Sequence, residues 1–81
     1  KYMISKKIIV YSTPTCYYCT LVKNYFTSIR VTYDDKNVGV DRTAAQEMIM
    51  KSGQMGVPVI DIGGKIIVGF QQEAIDRLIN E

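Results

Sequence analysis

The sequence predicts an α/β fold in which one mixed four-stranded β-sheet is covered by three helices, in the order β-α-β-α-β-β-α. Short β-branched apolar runs indicate strands, apolar residues at helical spacing indicate helices, and Gly63-Gly64 between two β-rich runs indicates a hairpin. A strand–helix–strand start implies a parallel pair with a right-handed crossover. A chain of 81 residues is enough for a single domain, residues 1–81, and leaves no room for a second.

The first half of the chain contains two predicted strands around one helix. Residues 4–11 end in the β-branched run Ile8-Ile9-Val10-Tyr11, which is typical of a buried strand. Residues 12–15 indicate a turn, and a helix begins near Cys16. Residues 31–35 are the second predicted strand, ending in a polar run. The apolar face of the first helix comprises Leu21, Val22, Tyr25, Phe26 and Ile29.

The second half is predicted to form a helix, a hairpin and a closing helix. Asp41 is a suitable N-cap for the second helix, and Gly53 is a suitable C-terminal stop. Residues 57–62 and 65–68 are predicted to pair as antiparallel strands across the two glycines. The closing helix has an apolar face formed by Ala74, Ile75, Leu78 and Ile79.

Composition excludes several classes of protein. Apolar residues make up 47% and charged residues 22%, as in soluble globular chains. No apolar run approaches the about 20 residues of a transmembrane helix. No secretory signal pattern is visible, so we expect a cytoplasmic protein. The net charge of +2 does not indicate nucleic-acid or membrane binding. Two cysteines without any histidine exclude Ser-His-Asp and Cys-His triads and histidine-ligated metals.

The cysteines form the motif Cys16-Tyr17-Tyr18-Cys19, placed after a strand and at the start of a helix. The free N–H groups and positive dipole at a helix start favour an anion, so Cys16 is expected to be stabilised as a thiolate. Cysteines in such motifs have pKa values from about 3.5 to 7.5. Cys19 follows one turn later and can close a disulfide with Cys16. We therefore predict that Cys16 is the exposed attacking thiol and Cys19 the more buried resolving thiol.

Three other uses of the pair are open at this point. A structural disulfide within one turn would tie no separate elements together and would stabilise by only about 2 kcal/mol. Half of a zinc site would need a second chain to complete the four ligands, so no metal site is predicted. Two inert core cysteines are the third alternative. Redox chemistry is favoured because the motif lies between a strand and a helix.

The sequence resembles the glutaredoxins, a family of thioredoxin-like fold, over nearly its whole length. The resemblance rests on residues 10–19, on Gly56-Val57-Pro58-Val59, on Gly63-Gly64-Lys65 and on Gly69-Phe70. It implies a thioredoxin-like fold and a thiol–disulfide oxidoreductase that carries electrons in cell redox homeostasis. It also resembles the short redoxins that deliver electrons to ribonucleotide reductase, which is therefore one expected protein partner.

The resemblance also implies the substrate-binding residues. Pro58 would be a cis-proline facing the cysteines, and it would leave the Val57 backbone free to pair with an extended substrate. Tyr18 would flank the thiol and pack against substrate, with an exposed aromatic residue of no binding role at the helix start as the alternative. Thr13, Gly69 and Phe70 stand at further family binding positions. Phe70 is equally well explained as an aromatic residue at the edge of the core.

Several departures from the family pattern concern glutathione. Glutaredoxins usually have Pro where Tyr17 stands, Lys or Arg where Thr13 stands, and often a basic residue where Met55 stands. Gln71-Gln72 replaces the acidic segment that would hold the glutathione amine. Each missing charge-assisted hydrogen bond is worth about 1.5–3 kcal/mol. These losses favour thioredoxin reductase over glutathione as the reductant.

The sequence therefore predicts a monomeric dithiol redoxin that reduces protein or mixed disulfides and needs no bound cofactor. One alternative is a glutathione-dependent glutaredoxin, with glutathione as the co-substrate. A carrier of a [2Fe–2S] cluster is the other, because loss of the proline at Tyr17 is associated with cluster binding in the family.

Overall fold

The computed structural model describes residues 6–81. The four strands form one mixed sheet in the order β2-β1-β3-β4, in which β1 and β2 are parallel and the other two pairs are antiparallel. The predicted fold class is confirmed. The elements are β1 (Ile8–Ser12), α1 (Tyr17–Ser28), β2 (Asp34–Asn37), α2 (Arg42–Ser52), β3 (Val59–Ile62), β4 (Lys65–Val68) and α3 (Gln72–Asn80).

The helices cover the two faces of the sheet because alternate residues of β1 point to opposite sides. Ile8 and Val10 belong to a core cluster formed with buried side chains of α1 and α3. Ile9 and Tyr11 belong to a second cluster beneath α2. α1 and α3 thus lie on one face and α2 on the other. Within the described part of the chain, no helix is long and apolar enough to cross a membrane.

The second helix and the hairpin follow the predicted local signals. The Asp41 carboxylate accepts a hydrogen bond of 3.0 Å from the Ala44 N–H, as an N-cap does. Gly53 ends α2 in the left-handed conformation, with φ of 72°. Gly63 and Gly64, both with positive φ, connect β3 to β4. These predictions are confirmed.

The predicted position of the second strand is wrong. Arg30, with φ of 61°, closes α1, and its N–H donates to the Thr27 carbonyl at 3.1 Å. The Val31 N–H donates to the Phe26 carbonyl at 2.9 Å, which completes a Schellman motif. Val31 is therefore buried as part of the helix end. The strand itself is the polar run Asp34–Asn37, which can keep side chains in water because β2 is an edge strand.

Two other strand boundaries are shorter than predicted. β3 begins at Val59 rather than at residue 57, because the preceding residues form the loop that faces the cysteines. β1 begins at Ile8, and residues 6 and 7 precede it outside the strand. Ile4 and Ser5, which the prediction included, lie outside the described residues.

Candidate active site

The two cysteines are joined in a disulfide across the first turn of α1. Cys16 is the N-cap residue, and Cys19 follows inside the helix, with their Cα atoms 5.2 Å apart. Cys16 is half-buried, whereas Cys19 is fully buried. The predicted contrast in exposure between the two residues is therefore observed. An attacking sulfur must meet a partner molecule, whereas a resolving sulfur needs only to reach its neighbour.

The start of α1 places a hydrogen-bond donor beside Cys16 Sγ and has no acidic residue in its first turn. The Cys19 N–H donates to Cys16 Sγ at 3.1 Å, and the Cys16 N–H donates to the Thr13 carbonyl at 3.3 Å. No acidic residue lies in the first turn of α1. A sulfur anion at this position would gain from the helix dipole without competition from a carboxylate.

The loop before β3 faces the cysteine pair. The Val57–Pro58 peptide bond is cis, as the family resemblance implied. The Val57 carbonyl oxygen lies 3.9 Å from Cys16 Sγ, and the Val57 N–H has no acceptor among residues 6–81. The Gly69 N–H donates to the Pro58 carbonyl at 2.8 Å, so the start of the β4–α3 turn is attached to the same loop.

Gln54 holds the beginning of this loop, which comprises residues 53–58 and which we call the Gln54 loop. Its side-chain amide donates to the Gly56 carbonyl at 3.1 Å and accepts from the Gly56 N–H at 2.6 Å, so one amide pairs with both backbone groups. A Cβ atom on Gly56 would lie 2.8 Å from the Gln54 Oε1 atom. A side chain at position 56 would therefore displace the Gln54 amide from this pairing. This contact was not predicted, and its only signal in the sequence is a polar amide two residues before a glycine.

The other predicted binding residues differ in their surroundings. Tyr18 is exposed beside the cysteines and packs edge-to-face against Tyr17, with ring centroids 5.3 Å apart. Phe70 is half-buried, packs against the first core cluster and lies 6.0 Å from the Tyr25 ring. The structure therefore gives Phe70 a role at the core edge, whereas Tyr18 is accessible to a partner.

A polar network that the sequence analysis also missed lies between α2 and the sheet. Lys51 donates to the Asp61 carboxylate and to the Tyr11 hydroxyl, both at 2.7 Å, and Tyr11 donates to Glu47 at 3.1 Å. Burial lowers the pKa of Lys51, but Asp61 and Tyr11 outweigh it and hold that pKa above its ordinary value. Hydrogen bonds from Lys36 and Tyr11 lower the pKa of Glu47. This network attaches α2, and with it the start of the Gln54 loop, to the sheet.

A mixed sheet of this topology, with a half-buried cysteine at a helix start and a buried cysteine one turn later, defines a thioredoxin-like-fold protein of the thiol–disulfide class. A sequence model described as Glutaredoxin matches residues 8–67. The chain belongs to the glutaredoxin family, as the resemblance predicted.

Two curated relatives agree with this membership. The chain is 47% identical over 72 residues to a glutaredoxin-like 8.6 kDa protein in a rubredoxin operon of Clostridium pasteurianum, covering 89% of this chain and 96% of that protein. It is 33% identical over 81 residues to a glutaredoxin of Neisseria meningitidis, covering 90% and 95%.

Solved structures show the same fold. A mutant thioredoxin-like protein superposes with a TM-score of 0.87 at 31% identity, covering 91% of this chain and 95% of that one. A glutaredoxin from Archaeoglobus fulgidus has a TM-score of 0.85 at 20% identity, with 95% and 89% covered. The second likeness concerns the fold alone.

Proposed function

We propose that the protein is a dithiol oxidoreductase that reduces protein or mixed disulfides, with Cys16 as the nucleophile and Cys19 as the resolving thiol. The observation that carries this proposal is the placement of the pair. Cys16 caps α1 and accepts the Cys19 N–H at 3.1 Å, while Cys19 is fully buried one turn later. Such a pair combines an activated, accessible sulfur with a neighbour that can displace the substrate from it.

The proposed reaction transfers two electrons to the substrate. The Cys16 thiolate attacks one sulfur of the substrate disulfide, forming a mixed disulfide and releasing the other substrate sulfur as a thiolate. Cys19 loses its proton to solvent and attacks Cys16 Sγ, which releases the second substrate thiolate. The substrate thiolates take up protons from solvent, and the chain is left with the Cys16–Cys19 disulfide.

We also propose that a protein reductase of the thioredoxin reductase type restores the dithiol more effectively than glutathione does. The support is chemical: the residues that stand at the glutathione-holding positions are Thr13, Met55, Gln71 and Gln72, all of them uncharged. Glutathione carries two carboxylates and an ammonium, which bind well only when charged partners compensate for lost water. The cycle needs no bound cofactor, and a disulfide-dependent enzyme such as ribonucleotide reductase is a suitable target.

Two coupled assays test this proposal with insulin as the protein disulfide. One contains NADPH and thioredoxin reductase, and the other contains NADPH, glutathione and glutathione reductase. We expect faster NADPH consumption in the first assay, and its complete loss in the Cys16→Ser variant. Turnover in the glutathione assay alone would show that the reductant is assigned wrongly. If Cys16→Ser equals the wild type in both assays, the function itself is wrong.

The cluster-carrier alternative has its own test. Anaerobic reconstitution with iron, sulfide and glutathione would give a coloured dimer if Cys16 of two chains bridged a [2Fe–2S] cluster. We expect a colourless monomer.

A further inference from the structure

Four chain segments surround the cysteine pair, and none of them contains a charged residue. They are residues 12–18, 37–40, 52–58 and 69–72, which we call the redox face. Charged residues make up 22% of the chain, so an even distribution would place about five among these 22 positions. All 18 charged residues of the sequence lie elsewhere.

Direct contacts make these segments one continuous surface. Several of their large apolar side chains are exposed, namely Tyr17, Tyr18, Val40 and Met55. Three contacts join the segments: the Val38 N–H donates to the Ser12 carbonyl at 2.9 Å, Cys16 Sγ lies 3.9 Å from the Val57 oxygen, and the Gly69 N–H donates to the Pro58 carbonyl at 2.8 Å.

Four charged residues border the redox face in sequence, and three of them are engaged by the protein itself, whereas the exposed Glu73 has no side-chain partner among residues 6–81. An ammonium or carboxylate that already has a partner offers little to a docking molecule, because breaking the first contact offsets the second. The bordering pairs are Lys36 with Glu47 at 3.2 Å, Asp41 with the Ala44 N–H at 3.0 Å, and Lys51 with Asp61 at 2.7 Å.

We infer that the redox face receives an extended protein segment whose residues on both sides of the reactive disulfide are uncharged and apolar. This inference rests on the proposed function and specifies its substrate class. A charged side chain pressed against this face would lose water without gaining an opposite charge. An apolar side chain would instead gain from covering the exposed tyrosine, valine and methionine surfaces. Recognition of this kind does not depend on ionic strength.

Three peptide disulfides test this inference. Each is a symmetric disulfide of an acetylated and amidated tripeptide, with the sequence Val-Cys-Val, Glu-Cys-Glu or Lys-Cys-Lys. The reduced chain is mixed with each peptide, the reaction is quenched with acid, and the rate is measured by mass spectrometry. Every rate is divided by the rate of the same peptide with dithiothreitol, which removes differences in intrinsic reactivity.

We expect the valine peptide to react about tenfold faster or more than either charged peptide. Its rate should change by less than about twofold between about 20 mM and about 500 mM NaCl. Equal normalised rates for the three peptides, or a preference for one of the charged peptides, would overturn the inference while leaving the oxidoreductase function intact. If the chain reduces neither insulin nor any of the three peptides, both the inference and the oxidoreductase function are overturned.

A pair of matched variants tests whether the redox face itself is responsible. Met55 and Met50 are both highly exposed, but only Met55 belongs to the redox face. Met55→Lys should raise the normalised rate of the glutamate peptide by about threefold or more at low salt, and added NaCl should remove the gain. Met50→Lys changes the net charge equally and should leave that rate unchanged. Equal effects of the two variants would contradict the assignment to this surface.

Discussion

Replacing Gln54 with leucine should weaken the binding of protein disulfides without slowing the thiol chemistry. Leucine has an apolar side chain that neither donates nor accepts hydrogen bonds. Besides the donation from the Gln54 amide to Ser52 Oγ at 3.1 Å, the variant loses both contacts to Gly56, the acceptance at 2.6 Å and the donation at 3.1 Å. The loop would then hold the Val57 peptide less firmly opposite Cys16, while the start of α1, which activates the sulfur, is unchanged.

The size of the expected change in KM follows from the two hydrogen bonds between Gln54 and Gly56. Gly56 is exposed and Gln54 is half-buried, so water can replace part of what is lost. Each bond is therefore worth about 0.5–1 kcal/mol, and together they contribute about 1–2 kcal/mol to the order of the loop. A difference of that size changes a population by about 5–30-fold. We expect the KM for insulin to rise by that factor, with kcat unchanged.

A small disulfide separates this positioning role from general damage. Hydroxyethyl disulfide has no peptide backbone to pair with Val57, so its KM should change by less than about twofold. Gln46→Leu is the matched control, since Gln46 is exposed on α2 outside the Gln54 loop. If Gln54→Leu raises KM equally for insulin and for the small disulfide, or leaves both unchanged, the positioning argument is refuted.

Three further predictions concern the resolving thiol and the network beneath α2. Cys19→Ser should accumulate mixed disulfides with protein substrates, seen as mass adducts, and full insulin turnover in this variant would contradict the two-cysteine mechanism. Lys51→Met should lower the free energy of unfolding in urea by about 2–3 kcal/mol, because the Asp61 carboxylate, with only 11% of its side chain exposed, would keep the Gly64 N–H but lose its only positively charged partner among the described residues. Lys7→Met, which breaks an exposed ion pair of 3.7 Å, should cost about 0.5 kcal/mol or less, and similar losses in both would refute the reasoning. The hydrogen bond from Lys36 lowers the pKa of Glu47 on folding, so this contribution to stability is present above pH 4.5 and is lost as the pH falls through the folded-state value. In acid titrations the free energy of unfolding of Glu47→Gln should therefore depend less on pH than that of the wild type. An unchanged dependence would contradict the assignment of this stability to Glu47.

Local signals were sufficient for those parts of the fold that depend on neighbouring residues. The side chain of Asp41 caps α2 three residues away, and Gly53 ends the helix through its own φ of 72°. The second strand could not be located in this way. The apolar residue Val31 indicated a strand, but it is buried by the closure of α1 onto Phe26. Whether a buried valine belongs to a strand or to a helix end depends on packing that the pattern does not record.

In the active site, too, local contacts could be predicted from the sequence and contacts between different elements could not. The motif of Cys16 and Cys19 is local, because one helical turn brings the two residues together. Its place at the start of α1 determines which of the two cysteines is exposed. The partners of Gln54 and Asp61 could not be read from the sequence. Asp61 interrupts an apolar strand, and only the folded chain identifies Lys51, ten residues earlier, as its charged partner.

The absence of histidine is compatible with thiol chemistry because backbone groups can replace a base. Two dipoles act on Cys16 Sγ: the Cys19 N–H at 3.1 Å and the Val57 carbonyl oxygen at 3.9 Å. The N–H stabilises an anion on the sulfur and the oxygen opposes it, but the donor is closer and the start of α1 adds to its effect. The sulfur anion is therefore favoured before any substrate arrives. A substrate backbone N–H that bonds to the Val57 oxygen would then reduce the one opposing contact, so docking and activation would reinforce each other at the same peptide.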